Sequence, residues 1–324
     1  MCTAITYKTK DHYFGRNLDL EYSYTETVTV MPRNFPLMFR HKGTMSRHFA
    51  IIGMAYVVDG YPLYYDAINE NGLAMAGLSF TENADYKDIK ENFDNITPFE
   101  FIPWILGQCR DIDEALRLLG KVNIIDESFS NELPNTPLHW MIADKDRAIV
   151  VEQVKDGLKV HNNPVGVLTN NPEFNIQLFG LNNYMGLSRE PIADNFCKDI
   201  KLNAYSRGMG ALGLPGDLSS ASRFIRATFT KLNSISGEGE EESVSQFFHI
   251  LTSVEQQRGL VHLGENKYEI TVYSSCCNLD KGIYYYKTYD NHRITAVDMH
   301  KENLDLNNLI SYPLLEKEDI LYIN

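Results

Sequence analysis

Apolar and polar positions alternate from the second residue. Cys2 to Tyr7 reads as a strand, Lys8 to Asp11 as a polar turn, and His12 to Phe14 as a returning strand that runs into Gly15-Arg16-Asn17-Leu18-Asp19. The pattern predicts a hairpin at the very start of the chain. A second block runs from Phe49 to Val58, turns at Asp59-Gly60, returns from Tyr61 to Asn69, turns at Glu70-Asn71-Gly72 and leaves along Leu73 to Phe80. Asp-Gly and Asn-Gly between apolar runs mark tight hairpins, so a meander is expected.

After Asn95 the period changes. Phe99, Phe101, Ile102, Trp104 and Ile105, then Ala115, Leu116, Leu118 and Leu119, suit two packed helices, the second capped by Asp111. Strand runs return at Leu138 to Ala143, Ala148 to Val154 and Leu158 to His161. Helical spacing reappears at Phe174 to Leu187, at Phe224 to Leu232 behind a Ser219-Ser220 cap, and at Phe247 to Val254. The end is strand again: Tyr268 to Cys276, Gly282 to Tyr289 and Ile294 to Met299. The acidic run Gly237 to Glu242 reads as a loop. Strand blocks at the beginning, middle and end, with tight turns and no βαβ alternation, predict an α+β architecture of stacked antiparallel sheets covered by helices. No Pro/Gly/Ser-rich linker and no repeat divides the chain, which predicts one domain over residues 1–324.

Composition narrows the function. Hydrophobic residues make up 44% and charged residues 23% of 324, a globular balance. The net charge of -13 with no basic stripe argues against a nucleic-acid partner. No apolar run approaches a membrane span, and the start lacks a secretory signal, so a cytoplasmic protein with no membrane partner is expected. Five cysteines, Cys2, Cys109, Cys197, Cys276 and Cys277, with no CxxC pair, fit a reducing compartment; the last four read as structural.

Several motifs carry little. Gly208-Met209-Gly210-Ala211-Leu212-Gly213 spells GxGxxG but lacks the preceding strand and following helix of a dinucleotide site, and reads as a loop. The nine histidines show no metal spacing; His139 and His249 read as core histidines. No GxSxG is present to anchor a serine hydrolase.

Cys2 stands apart because of its position. Removal of Met1, expected before so small a residue and with no longer propeptide, leaves a thiol and a free α-amine on one residue, which can serve as both nucleophile and base. The hairpin can return Arg16 and Asp19 beside it, where arginine stabilises a thiolate and aspartate orients an ammonium. Spacing alone fits a surface ion pair equally well.

Met1-Cys2-Thr3 with Phe14-Gly15-Arg16-Asn17-Leu18-Asp19 resembles the choloylglycine hydrolase family of N-terminal nucleophile hydrolases, among them the bile salt hydrolases of Gram-positive gut bacteria. The resemblance continues through Asn69-Glu70-Asn71-Gly72-Leu73, Leu138-His139-Trp140, Gly166-Val167-Leu168-Thr169-Asn170-Asn171-Pro172, Leu214-Pro215-Gly216-Asp217, Ser222-Arg223-Phe224 and Gly282-Ile283-Tyr284-Tyr285-Tyr286, covering essentially the whole chain. It implies an αββα sandwich and hydrolysis of the amide joining a steroid acid to glycine or taurine. It makes Cys2 the nucleophile and base, supported by Arg16, Asp19, Asn170 as oxyanion donor, and Arg223. Ser79 occupies a site position where many bile salt hydrolases have Asn and penicillin V acylases often have Tyr. By the same resemblance Leu18, Val57, Val58, Tyr65, Phe129 and Leu133 line an apolar substrate pocket, ordinary core packing being the competing reading. No metal or organic cofactor is implied, and the family suggests a homotetramer. Competing functions are a penicillin V or N-acyl-homoserine-lactone acylase of the same family, and a non-catalytic bile-acid-binding protein.

Overall fold

The computed structural model describes residues 1–324. In chain order its main strands are β1 (Cys2–Lys8), β2 (His12–Leu20), β3 (Thr27–Met31), β4 (Ile51–Val58), β5 (Tyr61–Asn69), β6 (Ala74–Ser79) and β7 (Leu138–Ala143). They continue with β8 (Ala148–Val154), β9 (Gly157–Asn162), β10 (Val167–Leu168), β11 (Ile270–Asn278), β12 (Ile283–Thr288), β13 (Thr295–Asp298) and β14 (Ile310–Pro313). They form a six-stranded sheet, β10-β1-β2-β11-β12-β13, and an eight-stranded sheet, β9-β8-β7-β6-β5-β4-β3-β14. Neighbours pair antiparallel throughout both.

Period-2 alternation decides which layer each residue joins. On β4, Ile52 and Met54 enter the core shared with β1 and β2, whereas Ile51 and Ala55 pack with the opposite layer. That layer holds α1 (Phe101–Leu106) and α2 (Ile112–Leu119), which contribute Phe101, Trp104, Ile105 and Ala115. On the far side of the six-stranded sheet lie α4 (Ser220–Asn233) and α5 (Glu240–Thr252), which bury Phe224, Phe247 and Leu251. The expected αββα sandwich is the fold observed. No helix is long and apolar enough to cross a membrane.

Local chemistry explains the boundaries. Between β4 and β5, Asp59 and Gly60 both adopt positive φ, +50° and +76°, as a two-residue hairpin turn requires. Asp111 caps α2 by accepting the Glu114 N–H at 2.8 Å. Two expectations are corrected. The acidic run is only partly loop: Glu240, Glu241 and Glu242 form the first turn of α5, where carboxylates meet the positive end of the helix dipole. The helix from Phe174 is α3 (Phe174–Gly180), continued by a 3₁₀ turn over Leu181–Tyr184 and ending before Leu187. The GxGxxG segment is a single 3₁₀ turn, Met209–Ala211, entered through Gly208 at φ +80° with no strand before it, so the loop reading holds.

Candidate active site

The β1–β2 hairpin pairs Cys2 with Leu18 and Ala4 with Arg16, so these four share one face, while Thr3, Asn17 and Asp19 share the other. The first face meets the eight-stranded sheet. There the Arg16 guanidinium is fully buried and donates from Nη1 to the carbonyls of Tyr65 at 3.1 Å and Gly77 at 2.5 Å, leaving Nη2 buried without a partner. The Tyr65 carbonyl is available because β5 carries an extra residue there: Met54 pairs with Asp66 but Ala55 with Tyr64, a bulge that re-aims the backbone. Beneath Arg16 lies Asp66, also fully buried, accepting hydroxyls from Tyr273 at 2.5 Å, Tyr284 at 2.8 Å and Ser275 at 2.9 Å. Burial pushes the Asp66 carboxyl above its ordinary value, against Arg16 and the three hydroxyls. Burial also opposes the Arg16 charge, yet Cys2, Tyr273, Asp66 and Asp19 around it outweigh that cost and hold it above the ordinary arginine range.

The second face meets α4 and α5. Asn17 donates to the Leu251 carbonyl at 3.0 Å. Arg223, in the first turns of α4, is fully buried and donates from Nη1 to the Cys2 carbonyl at 2.5 Å and Thr3 Oγ1 at 2.6 Å, and from Nη2 to Asn170 Oδ1 at 2.7 Å. Its Nη1 lies 3.9 Å from Asp19 Oδ2. Burial lowers the Arg223 pKa despite Asp19, Cys2 and Glu269 nearby, and burial pushes Asp19 up to about 6. Arg16 and Asp19 are therefore not a surface pair: both are 0% exposed.

Asn170 joins the faces. Its Oδ1 accepts the Cys2 backbone N–H at 2.8 Å besides Arg223, which makes its Nδ2 the donor to the Ser79 carbonyl at 2.8 Å. Ser79 thus meets Asn170 through its backbone, while its hydroxyl lies 3.2 Å from Thr81 Oγ1. One Asn170 N–H bond is so used; the other has no protein acceptor and is free for an oxyanion. The segment after β10 is tightly held. The Asn170 N–H donates to Ser220 Oγ at 2.8 Å, Gln177 donates to the Asn170 carbonyl, and His139 Nε2 donates to the Thr169 carbonyl at 2.9 Å. His139 is the expected core histidine, bonded to Glu152 at 3.0 Å and stacked on Phe80 at 4.2 Å.

The structure brings together Cys2, Arg16, Asp19, Asn170, Arg223 and the Ser79 backbone. Leu18 lies opposite Cys2, and Tyr65 packs against the same core. Val57 instead turns toward the α1–α2 layer, with Val58 beside it at the hairpin tip. Phe129 packs tilted against Tyr61 and edge-on against Phe99, in the loop that also carries Leu133. Two readings fail. His249 is exposed on α5, and Cys197 is exposed and therefore not a core thiol. Cys109, Cys276 and Cys277 are buried, and burial pushes their thiols up, that of Cys109 to about 12. Asp66 and its hydroxyl partners have no motif; the signal available is a lone charge inside the apolar run Tyr61–Asn69. No group of three or more His, Cys, Asp or Glu side chains converges to hold a metal.

Residues 2–312 match the model of the linear amide C–N hydrolases, choloylglycine hydrolase family. The chain belongs to this family. It is a hydrolase of linear amide bonds. A relative described as a bile salt hydrolase/transferase, from Lactiplantibacillus plantarum, is 56% identical over 324 residues, all of both chains. The structure of a conjugated bile acid hydrolase variant from Clostridium perfringens superposes with a TM-score of 0.93 at 40% identity, covering 100% of each chain. Penicillin V acylase from Agrobacterium tumefaciens shares the fold, with a TM-score of 0.76 at 20% identity over 96% of this chain and 90% of its own.

Proposed function

We propose that this choloylglycine-family hydrolase cleaves the amide bond of glycine- or taurine-conjugated bile acids with Cys2 as nucleophile. The observation that carries the reading is the convergence of Arg16, Asp19, Asn170 and Arg223 on one N-terminal cysteine, in a chain so similar along its length to proteins described as bile salt hydrolases. Removal of Met1 turns the Cys2 backbone N–H, now bonded to Asn170, into an amine of reference pKa about 7.7–8.0. The amine takes the thiol proton as sulfur attacks the amide carbonyl, and the buried Arg16 charge, with Nη2 free of protein partners, favours the thiolate. The remaining N–H of Asn170 meets the oxyanion, a contact typically worth about 10²–10³ in rate. The ammonium, held on the Asp19 side, protonates the departing glycine or taurine nitrogen; water then cleaves the thioester, its proton returning through the same amine.

In this reading the chain is one domain spanning residues 1–324, assembled as a homotetramer in the cytoplasm, with Leu18 and Tyr65 nearest the reacting amide and Val58, Phe129 and Leu133 farther along the steroid. Incubation with glycocholate and taurocholate tests it. Amino acid should be released, Cys2→Ser should release none, and intact mass should show loss of Met1 alone. Wild-type protein lacking Met1 that releases nothing from either conjugate overturns it.

A further inference from the structure

Asp19 sits where a strand register slips. Thr271 pairs with Asp19 but Tyr273 pairs with Leu18, so Val272 is an extra residue in β11. Such a bulge redirects neighbouring side chains, and here it lies directly beside a site residue. Thr271 Oγ1 is 2.7 Å from Asp19 Oδ1 and 2.8 Å from the backbone nitrogen of Gln256, just beyond α5. The Thr271 N–H returns to the Gln256 carbonyl at 3.1 Å. These contacts leave the hydroxyl no choice of role. The Gln256 N–H can only donate, so it occupies a hydroxyl lone pair, and the single hydroxyl proton points at the carboxylate. This is the only hydrogen bond Asp19 receives on its carboxylate: Oδ2 has none, and Arg223 Nη1 stands off at 3.9 Å.

We propose that Thr271 is a positioning residue for the amide hydrolysis: clamped by the Gln256 backbone, its hydroxyl holds the Asp19 carboxylate ionised and oriented toward Arg223 and the N-terminal amine. The proposal rests on the reading of Asp19 as part of the Cys2 site. The charges acting on Asp19 are Arg223 from α4, Glu269 just before β11, Arg16 from the opposite face of its own strand and the Met1 amine, whose place the Cys2 amine takes once Met1 is removed. Burial pushes Asp19 up; Arg223, the Met1 amine and Thr271 pull it down, and Glu269 pushes it up again. Deleting the hydroxyl removes one of three restraints, and the acid limb of activity moves upward.

The experiment is the pH profile of kcat/KM with glycocholate for wild type, Thr271→Val and Thr271→Ser. The valine variant should raise the midpoint of the acid limb by about one pH unit, a loss approaching about tenfold below pH 5 and roughly fivefold near pH 6 that fades toward pH 8. Serine, which keeps both bonds, should stay within about twofold of wild type at every pH. A valine variant with the wild-type midpoint, or with an equal loss at every pH, overturns the proposal. If valine prevents folding, Thr271→Ala against Thr271→Ser makes the same comparison. If wild type fails to turn over conjugates, the substrate reading falls while the positioning role is still decided by ¹³C titration of the Asp19 carboxyl, assigned by its loss in Asp19→Asn. An upward midpoint in Thr271→Val but not Thr271→Ser supports it, and equal midpoints overturn it.

Discussion

The two faces of the first hairpin each bury an arginine, and they manage its charge differently. Toward the eight-stranded sheet, Arg16 binds the carbonyls of Tyr65, Gly77 and, through Nε, Asn17, with Cys2, Tyr273, Asp66 and Asp19 around it, and its pKa is raised. Toward the helices, Arg223 binds Cys2, Thr3 and Asn170, with Asp19 only at 3.9 Å, and its pKa is lowered. Burial is complete on both sides, so the difference comes from the anions supplied. The thiol side is built as a permanent cation, whereas the amine side is balanced closely enough for its acid to titrate.

The strongest way to break this contrast is to exchange partners. Arg16→Met should cost roughly 3–5 kcal/mol in urea unfolding because it strands buried Asp66, and adding Asp66→Asn should recover part of that loss. Arg223→Met should couple to Asp19→Asn instead. If Arg16 couples to Asp19 as strongly as to Asp66 in the double-mutant cycles, the two faces are not separate charge systems.

A smaller effect lies in pH. Asp19 is raised to about 6, so the folded protein holds this proton more tightly than the unfolded chain. Its contribution to stability is therefore full at low pH and is lost as pH climbs from about 4 through about 6. In the proposed mechanism the anion is the active form, so activity should rise over the same interval. Asp19→Asn should remove this opposing slope, and comparing unfolding free energies with wild type at pH 4, 5 and 6 measures it; parallel curves would place the titrating group elsewhere.

Smallest is Ser79→Asn. Because Ser79 offers Asn170 its carbonyl, the substitution should change kcat/KM for either conjugate by less than about threefold. A larger change would mean that this side chain touches substrate.

Much of this was legible beforehand because it is local. Asp59-Gly60, the Asp111 cap and the alternation along residues 2–19 each act within a few positions. Cys2, Arg16 and Asp19 could be placed together by one hairpin, whereas Asn170 and Arg223 came only through resemblance, since nothing local ties residue 223 to residue 2. Asp66 and Thr271 were missed for the same reason. Their meaning depends on Tyr273, Tyr284 and Gln256, which the sheets bring near from far along the chain. His249 misled because two phenylalanines precede it, yet helical period turns it outward. Glu240 to Glu242 misled because a charge run resembles a solvated loop until the helix dipole is considered.

The pairing of β14 with β3 has a practical consequence for handling the protein. β14 is short and ends at Pro313, which lacks an N–H, so the sheet finishes on a blunted rim. Trimming the chain before Ile310 would bare Thr27–Met31 instead, five uncharged residues of high strand propensity with a row of unmatched amides. A shortened protein would keep every residue gathered around Cys2 and still be prone to stick to its own copies.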